Sequence, residues 1–433
     1  MLFLNELLNI SFAMFAGLML TRLGNRFRLP DVTAYLVAGV LIGPSLLGAL
    51  GIPGLGFSDY EELRVLGVIS DVALGFIAFS IGNEFRLSQL RETGRQALIV
   101  GVLQAVVTAL VVDCALLALH FAFPDALSVS AAITLGAIAA ATAPAATLMV
   151  VRQYKAKGKL TDLLLPIVAL DDAVGLVLFA VSFGIARALS VGAADAYSIF
   201  VNPLLEIVCS LLLGTLAGLG LSKLEPVFHS NTNRLAMSIS FVFLTVALSM
   251  LKIPLGPVTI GFSPLLVCMM LGSAFCNLCP LSEEIMHNAD RWTAPLLVLF
   301  FVLSGAELEL GVFAKASSVL IGLVYILFRS LGKYVGARSS AKLAGCDKNV
   351  VDYLGVTLLP QAGVALGMCV TASQLPGDGT LIRNIVLFAV LIYELVGPVM
   401  TKWALQRAGE ITPKGEDVLH RRERKLAAVE AKK

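Results

Sequence analysis

Apolar stretches of about twenty residues repeat along this chain as far as residue 404, separated by short polar connections. That length is what an α-helix needs to cross the hydrocarbon core of a bilayer. Composition agrees: the 433 residues are 58% hydrophobic and 14% charged, with a mean hydropathy of +0.87. No soluble core of this size hides so much apolar surface. The formal charge of +2 gives no sign of a nucleic-acid partner. The first run carries Glu6 and no basic residues ahead of it, so it reads as a first span rather than a cleaved signal.

Thirteen spans are expected, at about 3–21, 31–49, 63–82, 97–119, 129–150, 163–186, 199–221, 235–251, 256–275, 294–312, 317–337, 351–372 and 382–404. Lys and Arg in the connections set the orientation. Twenty-five fall on one side, counting the tail from Lys402, and five on the other. The C-terminus is therefore expected in the cytoplasm and the N-terminus outside, in a prokaryotic plasma membrane. All four histidines (120, 229, 287 and 420) fall in predicted loops or the tail. Cys276 and Cys279 form a lone CxxC with no second pair, which does not read as a metal site. No enzymatic motif and no cofactor signature is present.

Asp171 and Asp172 stand side by side within the run from Leu163 to Ala180. A charged side chain at the bilayer centre costs about 2.5–3.5 kcal/mol on insertion scales, so two together need partners or a purpose. Adjacent helical residues point about 100° apart, so the two carboxylates serve different tasks. Arg329 and Lys333, spaced i, i+4 in span eleven, share a face and call for carboxylates opposite. Glu394 is a third acidic residue inside a span, expected to make a structural hydrogen bond, with a secondary acidic site as the alternative.

The chain also repeats itself at an offset of about 222 residues. Ile81-Gly-Asn-Glu84 in span three matches Ser304-Gly-Ala-Glu307 in span ten, and Asp172-Ala-Val-Gly175 matches Glu394-Leu-Val-Gly397. Seven spans separate the copies, and seven is odd, so they run through the membrane in opposite directions. Inverted repeats of this kind place a transporter's substrate near the midplane, beside interrupted helices. Span five contains Ala141-Thr142-Ala143-Pro144, and span twelve contains Leu359-Pro360-Gln361-Ala362-Gly363. Each proline removes a backbone hydrogen bond, and freed backbone at this depth survives inside protein or beside a water-filled cavity. Unwound carbonyls and the Thr142 hydroxyl are suitable oxygens for a small hard cation.

With these motifs in hand, the chain resembles the monovalent cation:proton antiporters, nearest to the branch with paired aspartates. The matching stretches are Gly39-Val-Leu-Ile-Gly-Pro-Ser45, Phe79-Ser-Ile-Gly-Asn-Glu84, Ala141–Pro144, Leu170–Asp172, Arg329–Lys333 and Leu359–Gly363. The resemblance implies an all-α, polytopic sodium/proton antiporter fold over residues 1–408, with two crossing broken helices. It implies a homodimer with a static dimerisation part (spans in about 3–82 and 199–312) and a mobile core (about 97–186 and 317–404). A short charged tail, 409–433, is expected to lie helix-like on anionic lipid. By the same resemblance, Asp172 binds the proton or cation (Na⁺ first, K⁺ or Li⁺ as alternatives), and Asp171 pairs with Arg329 or Lys333. Two departures stand out: Ala143 replaces an acidic or hydroxyl residue common in relatives, and Arg329 stands where electrogenic members often carry lysine. Alternatives on the same fold are a sodium-coupled organic-anion symporter of the bile-acid type, or a channel-like or sensory protein.

Overall fold

The computed structural model describes residues 2–26, 31–52, 55–83, 85–88, 94–143, 147, 150–151, 154–190, 196–255 and 258–411. Fifteen α-helices lie among them. These are α1 (Leu2–Arg26), α2 (Asp31–Ile42), α3 (Tyr60–Val65), α4 (Gly67–Asn83), α5 (Gly94–Ala122), α6 (Val129–Ala139), α7 (Lys159–Ser190) and α8 (Ala196–Leu224). There follow α9 (Asn231–Ser249), α10 (Pro264–Leu278), α11 (Ser282–Ala306), α12 (Ala316–Leu343), α13 (Lys348–Thr357), α14 (Gly363–Ala372) and α15 (Gly379–Arg407). Each expected span overlaps one of these helices. Nine helices among the described residues are long and apolar enough to cross a bilayer; Gly67–Asn83, Val129–Ala139, Pro264–Leu278 and Gly363–Ala372 are apolar but shorter.

Several expected boundaries are corrected. Span nine begins at Pro264 rather than 256, because Ile253–Leu255 and Val258–Ile260 pair as a small antiparallel ribbon first. Ser263 then caps the helix by accepting from the Leu266 N–H, and Pro264 occupies the first turn, where no donor is lost. Span ten starts twelve residues early, at Ser282, and stops at Ala306. His120 and His287 therefore sit on α5 and α11, not in loops. Hydropathy marks the apolar middle of a helix; both helices extend past it into polar sequence. Glu84, Pro144 and the charged tail from residue 412 lie outside the described residues.

The helices pack chiefly in two sets. One contains α5, α6, α7 and α12 to α15; the other contains α1, α2, α4 and α8 to α11. Small residues bring backbones together within each set. Gly82 of α4 and Gly272 of α10 face each other's helices: an added Cβ would stand 1.9 Å from Met269 O and 2.1 Å from Phe79 O respectively. The first set holds the broken segments. α6 stops at Ala139 and the chain runs non-helically through Ala143; α13 stops at Thr357 and α14 restarts at Gly363.

Candidate ion-binding site

The two interruptions meet. The Ala143 N–H donates to Pro360 O at 2.9 Å, joining the first broken stretch to the second. Gln361 Nε2 donates to Ile138 O at 3.0 Å and to the Tyr325 hydroxyl at 3.1 Å. Ending a helix leaves its last carbonyls without intrahelical partners and with a partial negative charge. Two cations from α12 answer that charge. Arg329 donates to Ala139 O (3.1 Å), Ala141 O (2.7 Å) and Leu359 O (2.8 Å), so one guanidinium holds both broken ends. The Arg329 Cζ also lies 4.3 Å from the centroid of the Tyr393 ring.

Lys333, one turn further along α12, resolves the pairing that the sequence leaves open. Its Nζ stands 2.6 Å from Asp171 Oδ2, and both side chains are 0% exposed. It also donates to Ala140 O and to Gln104 Oε1, the latter at 3.2 Å. Asp171 is closed in from every side: Thr142 Oγ1 donates to Oδ2, and Gln104 Nε2 donates to Oδ1. Gln104 is thus the side chain that touches both members of the ion pair, and its Nε2 also donates to Gly101 O at 3.2 Å. No spacing pattern marks Gln104 in the sequence. A polar residue in the apolar middle of α5 was the available signal.

Thr142, expected as a cation ligand, spends its hydroxyl on Asp171 here. Ala143, Pro360 and Gln361 lie at the crossing, and Gly363 opens α14. Asp172 follows Asp171 on helical backbone in α7; its side chain lies outside the described residues, as does Pro144. Glu394 is 1% exposed, and its Oε1 has no hydrogen-bond partner among the described residues.

A cavity of about 390 Å³ opens along α7 beyond the site, lined by Phe179, Phe183 and Arg187 from one helix set and by Glu206 and Lys252 from the other. Phe179 stands eight residues past Asp171, about 12 Å along the helix. The arrangement is therefore a buried, hydrogen-bonded charge cluster at a crossing of interrupted helices, and the vestibule between the two helix sets is lined by none of its residues.

Residues 10–407 match the family described as sodium/hydrogen exchanger, transmembrane. The chain belongs to the sodium/hydrogen exchanger family. This exchanger-family chain is 25% identical over 360 residues to the Na(+)/H(+) antiporter NhaS4 of Synechocystis, covering 81% of this chain and 84% of that one. It is 23% identical over 375 residues to the high-affinity Na(+)/H(+) antiporter NhaS3 of the same organism, covering 79% and 77%. In three dimensions it superposes on the sodium proton antiporter MjNhaP1 of Methanocaldococcus jannaschii with a TM-score of 0.73 and 16% identity, over 94% of this chain and 99% of that one. The last likeness shows the exchanger fold in the sodium/hydrogen family member described here.

Proposed function

We propose that this protein is a secondary active transporter that exchanges protons for a monovalent cation, Na⁺ first, by alternating access. The observation that carries the reading is the buried Asp171–Lys333 pair at the crossing of two interrupted helices, immediately before Asp172 in the chain. Asp171 is fully occupied by Lys333, Thr142 and Gln104. It falls to Asp172 to bind either a proton or the cation, with the loosened backbone around Thr142 and Ala143 supplying further oxygens. Competition for one carboxylate couples the two gradients without a cofactor, because cation binding displaces a proton. An empty, charged Asp172 holds the core in place, since moving a bare charge through the barrier is costly.

Lysine rather than arginine in the ion pair supports electrogenic exchange. A lysine can surrender its proton during a cycle, and an arginine effectively cannot. The moving part is the helix set that holds the crossing; the other set forms the static part of a homodimer in the plasma membrane, with the C-terminus in the cytoplasm. The cavity lined by Phe179, Arg187 and Glu206 provides one access route.

The test is proton flux in proteoliposomes with an imposed pH gradient, adding Na⁺, Li⁺ and K⁺ in turn, with the membrane potential free or clamped. Wild type dissipates the gradient with Na⁺, faster when the potential is clamped. Asp172→Asn folds, as judged by its elution profile, and shows no cation-dependent flux. Retained flux in that variant would remove Asp172 from its assigned role.

A further inference from the structure

Glu394 occupies, in the second repeat, the place that Asp172 occupies in the first, and contacts fix that register as well as letters. Asp171 accepts from Gln104 on α5. Tyr393 and Ile326 stand 222 positions after Asp171 and Gln104, and the Tyr393 hydroxyl donates to Ile326 O at 2.6 Å. Ser330, 222 positions after Thr108, shares a 2.9 Å hydrogen bond with the same hydroxyl. The glycines that follow agree. An added Cβ at Gly175 would stand 3.6 Å from the Ala141 backbone; at Gly397 it would stand 3.0 Å from Pro360 Cα. Each glycine thus seats its helix on one broken segment. The counterpart of Asp171-Asp172 is Tyr393-Glu394.

The neutral tyrosine in the first position removes the need for a second lysine. Glu394 is left inside the helix set, 1% exposed, with Oε1 lacking a partner among the described residues. Among the described residues, no ion pair reaches Glu394 from the elements packed on α15. On α12, the Arg329 N–H groups go to three carbonyls, Lys333 binds Asp171, and the Tyr325 hydroxyl accepts from Gln361. α6 and α14 carry no charged residue. α13 contributes Lys348 and Asp352, the latter 3.4 Å from Arg338, and α2 has Asp31 in its first turn. On α15 itself Arg383 meets Glu307 and Glu309, and Lys402 lies over the Tyr154 ring. A buried carboxylate without a countercharge neutralises by taking up a proton.

From this juxtaposition we infer that Glu394 is a second proton-binding site, whose proton must be held for the core to cross. Proton occupancy stands on burial and pairing alone; the link to movement rests on the exchange reading above. The ligand is a proton rather than a metal ion, because no group of three His, Cys, Asp or Glu side chains gathers at Glu394 among the described residues and its Oε1 meets no partner there.

The test compares wild type with Glu394→Gln, which keeps the shape and is permanently neutral. Infrared difference spectra between neutral and alkaline pH should show the C=O band of a buried carboxylic acid in wild type, and that component should be missing in Glu394→Gln. In proteoliposomes, wild-type exchange should fall at the alkaline end relative to its own neutral-pH rate, while Glu394→Gln loses that decline. Identical spectra would overturn the site, and an alkaline decline shared by both proteins would overturn its link to movement. If Glu394→Gln elutes as aggregate, Glu394→Asp decides: a displaced band and a displaced decline support the site, and unchanged ones overturn it. A wild type with the infrared band and no cation-dependent flux would instead retire the exchange reading and leave the proton site standing.

Discussion

Lys333 Nζ has three protons, and Asp171, Gln104 and Ala140 O receive them. In a site with no solvent exposure that satisfaction is what makes the charge tolerable, because desolvating two ions costs more than their attraction returns unless the remaining donors and acceptors are filled. Removing one member alone is the damaging change. Lys333→Met should lower stability by about 3–5 kcal/mol, the usual loss when a buried charge is left without its partner. Thermal unfolding in detergent checks it, and Asp171→Asn combined with Lys333→Met should recover part of the loss. Gln104→Leu should also destabilise, by about 1–3 kcal/mol, since it strips a donor from Asp171 and an acceptor from Lys333 at once.

Among the elements, the two broken helices depend on α12 for their shape. Arg329→Lys keeps the charge but replaces a planar fork of donors with a single ammonium group, which cannot reach Ala139, Ala141 and Leu359 together. The expected result is a folded protein of reduced stability, with cation-dependent flux falling at least tenfold, measured in the same proteoliposomes. How far these elements were legible beforehand differs from helix to helix. The spans were visible because a membrane helix must be apolar for most of its length, and the breaks because Pro144 and Pro360 interrupt small-residue runs. The Asp171 partner was not visible: Arg329 and Lys333 lie on one face, and only the rise of α12 past the end of α6 decides which reaches the carboxylate. Gln104 escaped because an amide in an apolar helix has no spacing pattern to betray it. The starts of α10 and α11 were misplaced because a ribbon and a polar first turn leave little trace in hydropathy.

Across the whole molecule, the described ion pairs that join the two helix sets share one end of the bundle. Arg383 of α15 meets Glu309 at 2.7 Å and Glu307 at 3.8 Å, just beyond α11, and Arg187 of α7 approaches Glu206 of α8 at 4.0 Å. At the other end Lys159–Asp347, Arg338–Asp352, Arg86–Glu283 and Arg234–Glu225 each stay within one set. The junction is charged where the vestibule lies. Burial pushes the Glu307 carboxyl above its usual range, with nearby Asp71 adding to the rise and Arg383 opposing it. The folded state therefore holds this proton more tightly than the unfolded chain does. That contribution is fully present below the ordinary glutamate range and is lost as pH rises through the elevated value. Glu307→Gln should accordingly melt roughly 0.5–1 °C above wild type at neutral to alkaline pH, the scale of a fraction of a kcal/mol in a chain this large. The gain should vanish in acid, which a pH series of melting curves would show; a gain independent of pH would count against the carboxyl as its source.

Arg329 has one more consequence. A guanidinium keeps its proton at every pH a cell meets. The joint between the two interrupted helices therefore carries the same charge and the same three bonds in acid as in alkali. Proton exchange at a neighbouring carboxylate therefore leaves the charge of that rivet unchanged.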